Sequence, residues 1–314
     1  MKHVASPSNE AFADIYYPIH NLVSKHSDVM EEITRNWVDS YDCLSTAFKQ
    51  KAKGANYGVL TAAVIPRAEI EVLIPITRWM LWAFCWDDYY GPYEKQDLKA
   101  ICKTALRILK GIEKEGQYEN ALFSQLAVIR EELQGVSNSE WMRRFINSHI
   151  YYFQGLLMDT YSYKKNLQYP SGAEYFKIRD RLIGGFMVMD LLELVGTIFP
   201  KGLFENPKIQ KLRLLASRLM IYDNDIFSYK KEIKEGEAMN IVLVLQAENK
   251  ISINDALALA IKMREKEYIE LLAFEHHFRE FGRYSNIVRN YWQNTMILLE
   301  GQLNWYRLMS KRYE

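Results

Sequence analysis

Cysteine is scarce and scattered. Cys43, Cys85 and Cys102 are odd in number, widely spaced and without a CxxC pair, which excludes a disulfide framework or zinc ribbon and reads as reduced thiols in a reducing compartment. Of six histidines only His276-His277 adjoin, and neighbours on a helix point apart, so no zinc site is expected there. Long apolar runs are missing too. The longest, Trp79 to Trp86, is far too short to span a bilayer. The N-terminus lacks the basic, apolar and small-residue regions of a signal peptide. A cytoplasmic chain with no membrane span is therefore expected. Neither charge sign dominates: 40 Lys and Arg stand against 39 Asp and Glu, for a net charge of +1. With both signs spread along the chain, no nucleic-acid stripe and no acidic tail is formed. Strand alternation, hairpin dipeptides, repeats and low-complexity linkers are also absent.

What is present is apolar, aromatic and helical. The 314 residues are 49% hydrophobic and 13% aromatic, enough for a large core and for a cavity walled by rings, although an aromatic core alone accounts for the same composition. Helical periodicity runs through Lys95 to Leu109 and Ala121 to Leu133, with stops at Gly111 and Gly135. Ser139 or Ser137 is placed to cap a long helix ending before Pro170. Glu174 to Val195 reads as a helix with Gly184-Gly185 in its middle. Pro207 opens a helix that Gly236 ends. Ser252 or Asn254 opens one running toward Gly282, and Ser285 caps a last helix reaching Arg312. About ten or more helices in one bundle are expected. Residues 1–12, polar and small, are expected to be loosely held, with the folded domain covering residues 13–314.

Chemistry concentrates in a few places. In Asn224-Asp225-Ile226-Phe227-Ser228-Tyr229-Lys230-Lys231-Glu232, an amide, a hydroxyl and a carboxylate recur every fourth residue at Asn224, Ser228 and Glu232. A helix stacks them on one face, about 6 Å apart per step. Such a hard-oxygen set suits Mg²⁺, which shares its shell with water and phosphate. Lys231 is placed to reach an anion held by that metal. Asp87-Asp88 are expected to end a helix over Ile70 to Trp86, stopped by Gly91-Pro92. Phe84, Cys85 and Trp86 put an apolar wall beneath these carboxylates, which are costly there unless solvated, paired or metal-bound. Arg179 precedes the Gly184-Gly185 pair, which either breaks a helix to expose a carbonyl or lets two helices pack closely. Arg312-Tyr313 follow an aromatic helix. They can grip phosphate oxygens or simply complement a helix dipole.

Taken jointly and in this order, Asp87-Asp88 after an aromatic run, Arg179, Asn224-Asp225-x-x-Ser228-x-x-Lys231-Glu232, and Trp305 with Arg312-Tyr313 resemble the microbial-type class I terpene synthases across nearly the whole chain. The pattern departs from the family at two points. Gly91 and Pro92 stand where a third acid is usual, the next acid being Glu94. Leu182 and Ile183 follow Arg179 where the family often has a polar and a small residue, so Arg181, followed by Gly184-Gly185, is a second register.

The resemblance implies an all-α class I isoprenoid synthase bundle, a single domain around a central cavity. It also implies three Mg²⁺ ions, replaceable by Mn²⁺, two on Asp87 and one on Asn224, Ser228 and Glu232. The diphosphate of a prenyl diphosphate would be held by Arg179 (or Arg181), Lys231, Arg312 and Tyr313. Neutralised in this way, the diphosphate leaves, and Phe84 and Trp305 would face the carbocation, worth ~1–2 kcal/mol each. Farnesyl diphosphate is the expected substrate and geranylgeranyl diphosphate the alternative. A chain-elongating prenyltransferase fits less well, since it normally carries two Asp-rich motifs, and a non-catalytic helical interaction protein fits least. A homodimer is compatible with this reading.

Overall fold

In a computed structural model, the structure describes residues 15–17, 22–113, 118, 120–159, 163 and 168–309. The N-terminal segment 1–12 and the Arg312-Tyr313 pair lie outside the described residues. Fourteen α-helices occur among those described. They are α1 (Ser27–Ser40), α2 (Thr46–Gly54), α3 (Tyr57–Val64), α4 (Ile70–Tyr90), α5 (Lys95–Leu109), α6 (Ala121–Gly135) and α7 (Ser139–Asp159), then α8 (Gly172–Leu182), α9 (Gly185–Leu194), α10 (Lys201–Phe204), α11 (Pro207–Glu235), α12 (Ile241–Asn249), α13 (Ile253–Ala273) and α14 (Ser285–Asn304). A 3₁₀ segment, Phe274–Tyr284, joins the last two, and a π-helical turn, Trp305–Met309, follows α14.

Local chemistry explains most boundaries. Asn206 caps α11 by accepting from the Lys208 N–H at 2.9 Å, and Pro207 occupies the first turn, where a missing N–H costs nothing. Ser171 and Glu174 form a reciprocal capping box at α8. Ser252, not Asn254, caps α13. At α7 neither expected serine serves. Asn138 accepts from the Trp141 N–H at 2.9 Å, and the Ser137 hydroxyl has no hydrogen-bond partner among the described residues.

Other expectations need correction or refinement. α4 does not stop at Trp86 but continues to Tyr90, so Asp87 and Asp88 sit inside its last turn, and Gly91-Pro92 act one turn later. The span 174–195 is two helices, because Gly184 takes a left-handed φ of 71° that other residues avoid. Gly185 then packs so closely on α11 that a Cβ there would lie 2.2 Å from the Ser217 hydroxyl; the pair therefore both breaks the helix and brings two helices together. The helix opening at Ser252 is α-helical only to Ala273 and continues toward Gly282 as the 3₁₀ segment, which breaks at that glycine. Ser285 does not cap α14 through its side chain; its hydroxyl donates back to the Gly282 carbonyl at 2.7 Å.

α11 is the central helix. It packs on α13, α9, α12, α14 and α8, while α4 packs on α3 and α6 and α14 packs on α3. At the α14–α3 crossing a Cβ on Gly301 would lie 2.3 Å from the Ala63 carbonyl oxygen, so nothing larger than hydrogen separates the two backbones. Ile15 and Tyr17 are buried, and the Tyr17 hydroxyl donates to Asp223 at 2.8 Å.

A dry ion cluster clamps α7, α9 and the first half of α11. Arg144 meets Glu193 at 2.7 Å, and Arg213 meets Asp190 at 2.6 Å and Glu193 at 3.6 Å, all four side chains being at most 3% exposed. Burial pushes the Glu193 carboxyl up to about 7, helped by Asp190 and opposed by Arg213 and Arg144. Among the described residues no helix is long and apolar enough to cross a membrane.

Candidate active site

A cavity of about 510 Å³ opens between α3, α4, α7, α8, α9, α11 and α14. It has two characters. One part is apolar and aromatic: Phe84 stacks on Tyr57 with centroids 4.6 Å apart and lies 5.8 Å from Trp305. The Trp305 indole N–H donates to the Ala55 carbonyl at 2.7 Å, which fixes the ring. The other part is charged. Asp87, Asp88, Asp159, Glu232, Glu235 and Glu237 line it against Lys51, Arg179 and Lys231. Six carboxylates facing three cations among the described lining residues leave an excess of negative charge, and such a surface attracts cations.

α11 presents Asn224, Ser228 and Glu232 at the expected one-turn spacing. Asn224 and Glu232 line the cavity; Ser228 is buried behind them and bonds to Glu232. Burial pushes the Glu232 carboxyl up to about 7, with Asp225 adding repulsion, while Arg179, Asn240 and Ser228 pull the other way. A carboxylate stripped of water in this way gains most from a nearby cation. Arg179 of α8 donates to Asn224 Oδ1 at 2.6 Å and to Asp225 Oδ1 at 2.7 Å. Asp225 is fully buried and also accepts from the Tyr175 hydroxyl and from the Ile241 N–H at 2.6 Å. It is therefore committed to holding α8, α11 and α12 together. Lys231 faces the cavity and pairs with Glu235 at 3.3 Å.

On the α4 side, the Tyr152 hydroxyl donates to Asp87 Oδ1 at 2.9 Å, and Asp88 faces Lys51 at 3.7 Å. Burial and then the Asp87 charge push the Tyr152 phenol well up, so it remains a donor. Glu94 is exposed, stands at the start of α5 and does not line the cavity. Arg179 lines the cavity; Arg181 instead stacks over Tyr151 at 4.5 Å, away from it. The structure thus brings Asp87, Arg179, Asn224, Lys231, Glu232, Phe84 and Trp305 to one cavity, with Ser228 directly behind.

The oxygen donors fit a hard divalent cation. They are amide, hydroxyl and carboxylate, with no nitrogen or sulfur ligand among them. Among the described residues no three His, Cys, Asp or Glu side chains gather into a metal cluster, as expected when only one ligand of the α11 triad is acidic.

Several contributors carried no legible signal in the chain. Tyr152 and Tyr306 are ordinary members of aromatic stretches, and the Asn224 amide donates to Tyr306 at 3.0 Å only because α14 comes alongside α11. His149 is fully buried in the cavity wall, accepting from the Trp79 indole at 3.1 Å, with its other ring nitrogen 2.8 Å from the Phe145 carbonyl. Burial brings its pKa down to about 4, so the ring is neutral. Asn240 was missed as well; its place before the apolar Ile241–Leu245 run is a local signal for a helix cap, but no local pattern marks it as a neighbour of Glu232.

An all-helical bundle around one cavity, with an oxygen-rich rim above an aromatic wall, is the architecture of the class I isoprenoid synthases. Residues 78–269 match the family described as terpene synthase family 2, C-terminal metal binding, and the chain belongs to that family. It is 29% identical over 262 residues to a (+)-T-muurolol synthase of Roseiflexus castenholzii, covering 81% of this chain and 79% of that one. It is 27% identical over 300 residues to the germacrene A synthase of Nostoc punctiforme, covering 93% and 92%. The fold matches a crystal structure of linalool/nerolidol synthase from Streptomyces clavuligerus with a TM-score of 0.85 at 17% identity, over 93% of this chain and 100% of that one. The protein is an all-α terpene synthase, a lyase.

Proposed function

We propose that this enzyme ionises a linear prenyl diphosphate, with farnesyl diphosphate as the favoured substrate, and cyclises the allylic cation to a terpene hydrocarbon or alcohol, releasing diphosphate. The carrying observation is that Asp87 on α4 and Asn224 and Glu232 on α11 line one cavity that also has an apolar wall of aliphatic and aromatic side chains. Two relatives, from Roseiflexus castenholzii and Streptosporangium roseum, are described as cyclising (2E,6E)-farnesyl diphosphate, which supports the C15 choice.

Asp87 would hold two Mg²⁺ ions and Asn224, Ser228 and Glu232 a third. Bound there, Mg²⁺ or Mn²⁺ would neutralise the diphosphate oxygens and make them a leaving group. Arg179 and Lys231 supply positive charge from the α8 and α11 sides, and Arg312 and Tyr313 would complete the grip. No protein nucleophile is required. The Phe84 and Trp305 rings line the cavity and offer negative faces to the cation, and the apolar wall keeps water from quenching it.

The test is incubation with farnesyl or geranylgeranyl diphosphate, each with MgCl₂, with excess EDTA, and with added isopentenyl diphosphate, read by gas chromatography and mass spectrometry. A cyclic C15 product that vanishes with EDTA is expected. Full activity in EDTA would sink the metal chemistry, C20 cyclisation alone would sink the substrate choice, and chain elongation would make the enzyme a prenyltransferase.

A further inference from the structure

Asn240 is the first residue before α12 and is fully buried. Both ends of its amide are spent. Oδ1 accepts from the Val242 N–H at 2.9 Å, capping the helix. Because that end faces a donor, the amide cannot be turned around, and Nδ2 must face the other way. There it meets only acceptors: Glu232 Oε2 at 2.8 Å, the Asp225 carbonyl at 2.9 Å and, more loosely, Ser228 Oγ at 3.5 Å. Asn120 caps α6 in the same manner but donates its amide to the Tyr90 hydroxyl at 2.8 Å, remote from any charged group of the α11 triad. Capping alone does not ask for an asparagine aimed at a carboxylate, since serine or threonine caps as well.

We propose that Asn240 is the positioning residue of the α11 cation site: its amide holds one oxygen of Glu232 so that the carboxylate faces its partners in a fixed orientation. This rests on the metal reading given above. A glutamate side chain has several rotatable bonds even where its carboxylate is desolvated, and a cation that needs near-ideal octahedral geometry binds best to ligands already held in place. The neighbouring Ile241 N–H grips Asp225 at 2.6 Å. Two consecutive residues at the α12 start thus lock onto two acids of α11.

The test follows the melting temperature as MgCl₂ is raised in fixed excess inorganic pyrophosphate, since a ligand that binds the folded state raises it. Asn240→Ser retains a capping hydroxyl but is too short to reach Glu232. It should keep the ligand-free melting temperature within a few degrees while raising the half-effective Mg²⁺ concentration roughly 10–100-fold, the range for removing an outer partner of a metal ligand. Asn240→Asp keeps shape and cap but turns a donor into a repelling oxygen, and should weaken Mg²⁺ by at least as much. Asn206→Ser, the same change at the cap of α11, should leave the Mg²⁺ midpoint alone. A folded Asn240→Ser or Asn240→Asp protein with the wild-type midpoint overturns the proposal and leaves the metal reading standing. No Mg²⁺-dependent shift in the wild type overturns both. If neither variant folds, Asn240 is a folding determinant, and the positioning role is overturned as well.

Discussion

The two halves of α11 use the same kinds of side chain to opposite ends. In the first half Arg213 meets Asp190 and Glu193, and Arg144 closes the group: two cations against two carboxylates, with almost no exposure. In the second half Arg179 meets Asp225 beside Glu232, and the group opens into a cavity where carboxylates outnumber cations. A balanced, sealed cluster has no use for a further charge; it fixes where helices sit, at the desolvation cost that buried pairs carry. An unbalanced cluster facing a cavity is incomplete until cations arrive. Charge balance and access, rather than residue type, separate scaffold from chemistry along this one helix.

The sharpest way to break that comparison is to neutralise one member of each half. Glu232→Gln, Asn224→Ala or Asp87→Asn should lower kcat by several orders of magnitude, on the order of 4 kcal/mol or more in barrier, with melting temperature little changed. Glu94→Gln should do far less, because that side chain is off the cavity. A dead Glu94→Gln beside a healthy Asp87→Asn, in steady-state kinetics, would reverse the assignment of the first motif. Arg213→Met should behave in the converse way. It strands buried Asp190 and should cost about 3–5 kcal/mol in urea unfolding, while turnover per folded molecule stays within a few-fold of wild type. A stable but inactive Arg213→Met would erase the distinction between the halves.

A smaller effect tests the cavity wall on α7. His149 is neutral in the folded chain, with its pKa brought from 6.5 to about 4 by burial. On acidification the unfolded chain takes up this proton first. The stability that His149 contributes is therefore complete above about pH 6.5 and is lost as pH falls toward about 4, amounting to about 3 kcal/mol at the lower end. His149→Gln should flatten that part of the stability–pH curve in denaturant titrations at several pH values. An unchanged slope would show that the ring is protonated as easily folded as unfolded. The smallest effect belongs to the aromatic wall. Phe84→Leu or Trp305→Leu should shift product ratios by ~1–2 kcal/mol in the competition between later cations, with substrate consumption less affected. Identical product profiles would make both rings plain core.

How much of this was readable beforehand depended on the range of the interactions. The Asn224, Ser228 and Glu232 series is a property of a single helix, so spacing alone put it on one face. Helix positions were legible where a local signal had no rival, as at Pro207 and Gly236, whereas Ser252 and Asn254 competed for the start of α13. The boundary of α4 was misjudged because Gly91-Pro92 marks where a helix must have stopped, not that it stops at the preceding acids. The cap of α7 was misjudged because Asn138 lies between two serines that qualify equally by type. Tyr152 beside Asp87 and the neutral His149–Trp79 pair depend on contacts 65 and 70 residues apart in the chain, and no local pattern encodes such partners. Asn240 shows both cases in one residue: its cap follows from a local pattern, its grip on Glu232 does not.

The bare crossing at Gly301 bears on how this enzyme can be redesigned. Leu298, Gln302 and Trp305 on the same stretch of chain line the cavity, while Gly301 lies against the Ala63 carbonyl with no room for a methyl group. Mutational libraries aimed at new products can vary the lining positions around it, because each changes the contour of the mould and leaves the helix where it is. A library that includes position 301 would push α14 off α3 and move Leu298, Gln302 and Trp305 together, so its variants would differ in the placement of a whole wall rather than in one local shape. Holding that glycine constant confines the search to changes whose effects on the product can be attributed to a single side chain.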